Sequence, residues 1–288
     1  MEDLHISTQD DYSLAVTSFS PQTTPKAVIL VNSAMGVVRQ YYRKFSAYLA
    51  SEGYQIYSYD YRGIGGSRPS SLRGFDATIQ DWGIKDQEAM IQYVQVQHPE
   101  IPLFVIGHSV GGQILGLAPS CKRVQAALLV ASQVGNWTYW DKGQAKLKFF
   151  WKYLLPQLSG LMGYFPAKRL GLFEDLPKGV AQEWSKWGRE VDYMFAYDLA
   201  APKQHAELKI PILAWSFTDD TYAPIRAVKN LLGRYEQATV MHRHIAPQDL
   251  GVEKIDHFGF FREKLKASLW QDNLQWLETQ LEAKSKSA

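Results

Sequence analysis

Four short runs of almost uninterrupted apolar residues recur along this chain: KAVILV (Lys26–Val31), LFVIG (Leu103–Gly107), QAALLVAS (Gln125–Ser132) and IPILAWSF (Ile210–Phe217). Runs this short, without a polar residue at every second position, are the pattern of strands buried on both faces. Helical patterns lie between them. One spans Arg39–Ser51 and is ended by Gly53, one spans Thr78–Gln97 and stops before Pro99, and a short one covers Ile114–Ala118. QIYSYD, between the first two helices, supplies a further strand. Alternation of strand and helix predicts an α/β fold with a mostly parallel sheet covered by helices on both faces. At the start, His5–Thr8 and Leu14–Phe19 flank the polar QDD and predict an antiparallel hairpin. At the end, a helix near Ile225–Tyr235, a strand near Thr239–Ile245 and a helix from Phe260 to Leu281 continue the rhythm.

The rhythm breaks between Gly135 and Leu208, which contains no convincing buried strand. This stretch holds 15 of the 38 aromatic residues, more than its quarter of the length would give, so it is expected to pack as a unit of its own. The predicted organisation is a core of 1–134 and 209–288, with 135–208 inserted as a helical cap before a late strand. Trp137, Tyr139, Trp140, Phe149, Phe150 and Trp151 have three uses open to them: a minority facing an apolar pocket, a majority giving the cap its core, or an exposed patch for membrane or homodimer contact. Lys142, Lys146, Lys148 and Lys152 fit either a charged helix face or weak surface adsorption.

Charge narrows the partners. Lys plus Arg number 31 and Asp plus Glu 29, a net +2 that argues against nucleic acid. The single cysteine, Cys121, excludes an internal disulfide and a multi-cysteine metal site, and it fits a reducing compartment. The first residues carry no apolar run of a secretory signal, and no stretch approaches the ~18 apolar residues of an integral membrane segment. A cytoplasmic location is the expectation. RGIGGSR contains Gly63 and Gly65, but Arg68 stands at the third glycine of a dinucleotide fingerprint and Pro69 follows, so nucleotide binding is rejected. His242 and His244 share one face of a strand without a third ligand at metal spacing. No cofactor and no metal are expected.

One hydroxyl sits among glycines. Ser109 follows the buried strand LFVIG, with Gly107 and Gly111 two residues to either side and Gly112 next. A sharp strand-to-helix turn would project its hydroxyl from the sheet edge, and glycines at those places remove the side chains that would collide. The same turn sets the serine at a helix N-terminus, whose free N–H groups face developing negative charge. His108, on the same turn, is expected to point away.

GHSVGG (Gly107–Gly112) resembles the nucleophile elbow of the α/β-hydrolase superfamily, and DYRGIGGS (Asp60–Ser67) is similar to the D-x-R-G-x-G-x-S loop of its esterase and lipase members. The resemblance covers nearly the whole chain, is weakest in the cap, and includes some similarity to monoacylglycerol-lipase-type esterases. It implies the α/β-hydrolase fold and a nucleophile, acid and base in the order Ser, Asp or Glu, His. After the cap, AWSFTDDTYAP offers Asp219 and Asp220; the family's D-x-x-x-P spacing to Pro224 selects Asp220, with Asp219 one residue away as the alternative. His257, in IDHFGFF after the last strand, occupies the place of the base. The backbone N–H of Val110 is the first oxyanion donor. The second comes from the loop NSAMG, where Ala34 is matched and Met35 is the fallback. Asp60 and Arg62 are expected to brace the loop beside the site.

The implied activity is cleavage of a carboxylic ester with an apolar acyl or alcohol group through an acyl-enzyme. An acyltransferase or thioesterase with the same triad, and a non-catalytic ligand-binding protein of this fold, remain open.

Overall fold

A computed structural model describes residues 1–197 and 201–285. Among the described residues there are ten strands: β1 (Glu2–Ser7), β2 (Ser13–Phe19), β3 (Val28–Asn32), β4 (Gln55–Tyr59), β5 (Leu103–His108), β6 (Ala126–Val130), β7 (Tyr164–Phe165), β8 (Leu176–Pro177), β9 (Pro211–Phe217) and β10 (Thr239–Ile245). Eight of them form one sheet in the order β1-β2-β4-β3-β5-β6-β9-β10. β1, β2 and β4 pair antiparallel and the rest pair parallel. The apolar runs are the central strands: every residue of β3, β5 and β6 is buried. β5 lies mid-sheet, between β3 and β6, so whatever follows its carboxyl end stands at the centre of that edge.

Several boundaries differ from expectation for identifiable reasons. The helix after β5 starts at once, as Val110–Gln113, and tightens to a 3-10 turn over Ile114–Leu117. The segment after Thr78 opens on a capping box with Asp81, then widens to a π turn over Trp82–Gln87 before the regular helix Glu88–Gln97. Within that wide turn both Asp86 and Gln87 are fully buried and reach partners in the core. The last helix is regular only from Gln271, after 3-10 turns and a π turn. In the 135–208 stretch β7 and β8 make a two-residue antiparallel pair, a strand element that hydrophobic runs do not reveal. Helices Leu155–Met162 and Lys178–Gly188 pack on it, and Gln144–Phe149 runs through a π turn into the first of them. Trp151, Phe165, Trp187 and Tyr193 are buried there, while Phe149 and Tyr153 are exposed.

Beneath the carboxyl edge lie two buried ion pairs. Asp60 accepts from the Arg39 guanidinium (2.5 Å), from the Arg39 backbone N–H (2.6 Å) and from the Gly66 N–H (2.8 Å). Arg62 donates from Nε to Asp86 (2.7 Å), and its outer nitrogens reach Asp10. The loop after β4 is thus clamped at two residues. Replacing Arg62 by Met strands Asp86 in the interior and should cost about 3–5 kcal/mol. Lys44→Met, which breaks the exposed pair with Glu263, should cost under about 1 kcal/mol. Urea unfolding of both variants measures the contrast, and equal losses would contradict the assignment.

Candidate active site

Ser109 caps the helix that follows β5, with φ 53° and ψ −115°, a left-handed backbone for a residue with a side chain. Its neighbours explain how the turn survives. A Cβ on Gly107 would lie 2.6 Å from the Gly112 backbone, and one on Gly111 would lie 2.2 Å from the Asn32 carbonyl oxygen. The glycines let the elbow close on itself and on the end of β3. The Ser109 N–H donates to the Val130 carbonyl (2.9 Å), fastening the turn to β6.

The loop after β10 is joined to this elbow through His108. His257 Nδ1 is 2.8 Å from Asp220 Oδ2, and both residues are buried. The other Asp220 oxygen accepts the N–H groups of Tyr222 (2.8 Å) and Ala223 (3.0 Å). With a proton on Nδ1 for the carboxylate, the neutral imidazole keeps a bare Nε2. Asp219 does different work: its Oδ2 accepts the N–H groups of Ile255 (2.9 Å) and Asp256 (3.0 Å), tying down the strand of loop that leads into His257. Of the two adjacent aspartates, only Asp220 meets the histidine.

The His108 ring packs between Tyr42 and the His257 loop. Its Nε2 is 2.9 Å from the His257 carbonyl oxygen and its Nδ1 is 2.9 Å from the Tyr42 hydroxyl. Ser109 is therefore covalently next to the residue that holds the His257 backbone. Nothing in the hydrophobic pattern points to Tyr42, which looks like one more aromatic of an amphipathic helix.

The loop after β3 departs from expectation in one respect. Ala34 gives its N–H to the Tyr42 hydroxyl (2.8 Å). The N–H matched above to the oxyanion hole is thus engaged by a side chain. The neighbouring N–H of Met35 has no hydrogen-bond partner among the described residues, and neither does that of Val110 at the helix start. Asn32 is a tie within the core: its amide donates to Gln87 Oε1 (2.6 Å) and to the Gly111 carbonyl (3.1 Å), and its Oδ1 accepts from Tyr59 (2.7 Å).

The 135–208 stretch touches this edge in three places. Phe173 packs on Gly36, where an added Cβ would come within 2.6 Å of its ring, and the Glu174 N–H donates to the Gly36 carbonyl (3.0 Å). Pro177 packs on Gly63. Trp140 Nε1 donates to the Thr221 carbonyl (2.8 Å), one residue past Asp220. A separate surface cleft of about 510 Å³, walled by Phe19, Pro21, Ala50 and Ser51, contains none of the residues of this edge.

His242 Nε2 and His244 Nδ1 both lie 2.8 Å from the Ser216 hydroxyl, which can donate to one and accept from the other. No group of three or more His, Cys, Asp or Glu is placed to hold a metal among the described residues. Among the same residues, no helix is long and apolar enough to cross a membrane.

The mostly parallel eight-stranded sheet and the tight strand-to-helix turn after β5 are those of the α/β-hydrolase fold. The chain belongs to the serine aminopeptidase S33 family, whose pattern it matches over residues 23–177, more than half its length. It is 29% identical over 114 residues to the monoglyceride lipase of Rattus norvegicus, covering 40% of this chain and 37% of that protein. It is 28% identical over 102 residues to the monoglyceride lipase homolog of Monkeypox virus, 35% of each chain. The matches thus span little more than a third of these relatives. Among solved structures, a carboxyl esterase of Bacillus coagulans superposes with a TM-score of 0.67 at 13% identity, over 97% of this chain and 98% of that one. A monoglyceride lipase of Saccharomyces cerevisiae superposes with a TM-score of 0.66 at 16% identity, over 97% and 94%. At such identities these likenesses establish the fold.

Burial, with the nearby His257 adding to it, holds His108 well below the usual histidine range, so it stays neutral in the folded protein. The unfolded chain protonates this residue below about pH 6.5. Wild type should therefore lose stability as pH falls, and a variant with no titrating group there should not. The stability deficit of His108→Gln relative to wild type should shrink from pH 7 to pH 5, by up to about 1.4 kcal/mol per pH unit. Melting curves at matched ionic strength measure it, and a deficit that widens on acidification would contradict a neutral His108.

Proposed function

We propose that this protein is a serine hydrolase that cleaves a carboxylic ester through an acyl-enzyme, with Ser109 as nucleophile, His257 as general base and Asp220 as its orienting carboxylate. The observation that carries the reading is the 2.8 Å contact between His257 and Asp220, on a loop whose His257 carbonyl is held by His108, the residue next to a serine on a left-handed, glycine-packed elbow. His257 Nε2 takes the Ser109 proton as Oγ attacks the ester carbonyl, and Asp220 stabilises the imidazolium that forms. The carbonyl oxygen becomes an oxyanion, which receives the N–H groups of Val110 and Met35. Collapse expels the alcohol, protonated by His257, and leaves Ser109 acylated. Water, deprotonated by the same imidazole, attacks the acyl carbon and releases the acid.

The substrate in this reading is an ester with an apolar acyl or alcohol group. Relatives named as monoglyceride lipases support a lipid ester. The aromatic content of the 135–208 stretch, and its seats on Gly36, Gly63 and Thr221, support a cap that lies over the site and lines its apolar side.

Hydrolysis of a chain-length series of p-nitrophenyl esters tests the proposal. Ser109→Ala should reduce kcat by at least about a thousand-fold, leaving only what binding and oxyanion stabilisation supply. Turnover equal to wild type would rule out Ser109 as nucleophile. Asp220→Asn should lose on the order of ten-thousand-fold in kcat, because the imidazole then takes the wrong tautomer. Asp219→Asn should act on stability, by about 1–2 kcal/mol, and leave kcat within about ten-fold. The reverse ranking would hand the role of acid to Asp219.

A further inference from the structure

Three buried hydrogen bonds connect the loop after β3 to the loop after β10, and their chemistry fixes where every proton lies. The His257 carbonyl oxygen can only accept, so His108 Nε2 carries a hydrogen and donates it (2.9 Å). A neutral imidazole then has a bare Nδ1, which accepts from the Tyr42 hydroxyl (2.9 Å). With its proton committed, the Tyr42 oxygen accepts the Ala34 N–H (2.8 Å). For a neutral imidazole, no other assignment satisfies all three contacts. Tyr42 and His108 are both fully buried, so water does not stand in for a lost partner.

The ends of this chain are what give it meaning. Ala34 precedes Met35, whose N–H is free to meet an oxyanion. His257 carries the imidazole that Asp220 orients. The 3-10 turn Arg39–Tyr42 supplies neighbouring braces as well: Tyr41 donates its hydroxyl to the Phe258 carbonyl, and Arg39 is locked on Asp60. Consecutive tyrosines therefore hold consecutive carbonyls of the His257 loop, one directly and one through His108. Asp219 and Asp256 fix the same loop from its own side, through the N–H groups of residues 255, 256, 258 and 259.

We propose that Tyr42 and His108 form a positioning pair that sets the spacing between the oxyanion loop and the general base, without touching substrate. This rests on the assignment of Ser109, His257 and Asp220 given above. The pair works as a unit: removing either hydrogen-bonding group breaks the whole connection, so the second removal has nothing left to break. It acts on the geometry of the transition state, so its loss appears in kcat and leaves KM in place.

Steady-state kinetics of Tyr42→Phe, His108→Phe, the double variant and His108→Gln on a short-chain p-nitrophenyl ester test this, each assayed well below its own melting temperature. Each single loss should lower kcat roughly ten- to a hundred-fold. KM should stay within about two-fold of wild type. The double variant should fall no further than the worse single, and His108→Gln, whose amide can still donate toward the His257 carbonyl, should recover part of the loss. A folded Tyr42→Phe with wild-type kcat, or losses that multiply in the double variant, would overturn the pair. Tyr42→Phe removes one oxygen and adds nothing, so it decides the matter if His108 variants do not fold. Wild-type protein without Ser109-dependent turnover would instead overturn the triad assignment, and the pair with it.

Discussion

The backbone of Ser109, held at φ 53° at the end of the central strand, is the constraint around which this molecule is arranged. A left-handed residue with a side chain costs on the order of 1–3 kcal/mol and persists only where its surroundings over-determine it. Here they do so from three sides. Gly107 and Gly112 close on each other, Gly111 meets the end of β3, and the Ser109 N–H is tied to β6. Each contact joins the elbow to a strand buried on both faces, so the strain is borne by the stiffest part of the fold. The result is a serine at the carboxyl end of the central strand with a helix N-terminus directly behind it and the Val110 N–H unspent.

Around that point the interior is unusually polar, and the polarity is spent on loops. Asn32, Gln87 and Tyr59 tie the ends of β3 and β4 to the π turn. Asp60 with Arg39, and Asp86 with Arg62, clamp the loop after β4. Asp219 and Asp256 gather four N–H groups of the loop that carries His257. Buried polar groups contribute little net stability but are costly when unpaired, so networks of this kind select one loop geometry over many. A site assembled from three separate loops depends on that selection.

The sequence made the sheet legible because strands buried on both faces have to be apolar throughout, as KAVILV and LFVIG are. Ser109 was legible because only glycines permit its turn. Asp220 emerged from a family spacing to Pro224, and its contact with His257 is a tertiary fact that no local pattern carries. What local pattern did not reveal has a common origin. Ala34 looked available because its neighbour sequence matched, whereas a tyrosine eight residues away takes its N–H. Tyr42, His108, Asp86 and Gln87 face inward with polar groups, and hydrophobic periodicity assigns no value to a polar residue that is buried and satisfied. The β7–β8 pair escaped notice because two residues per strand are too few to form a pattern.

In the proposed mechanism Ser109 becomes covalently acylated with His257 and Asp220 behind it. The direct measurement is rapid acid quenching of the enzyme during turnover of an activated ester, followed by mass spectrometry of the digested protein. The acyl mass should appear on the peptide containing Ser109, accumulating within the first turnover and absent in Ser109→Ala. An acyl group on another residue, or ester hydrolysis with no adduct at any quench time under conditions where deacylation is slowed, would contradict it.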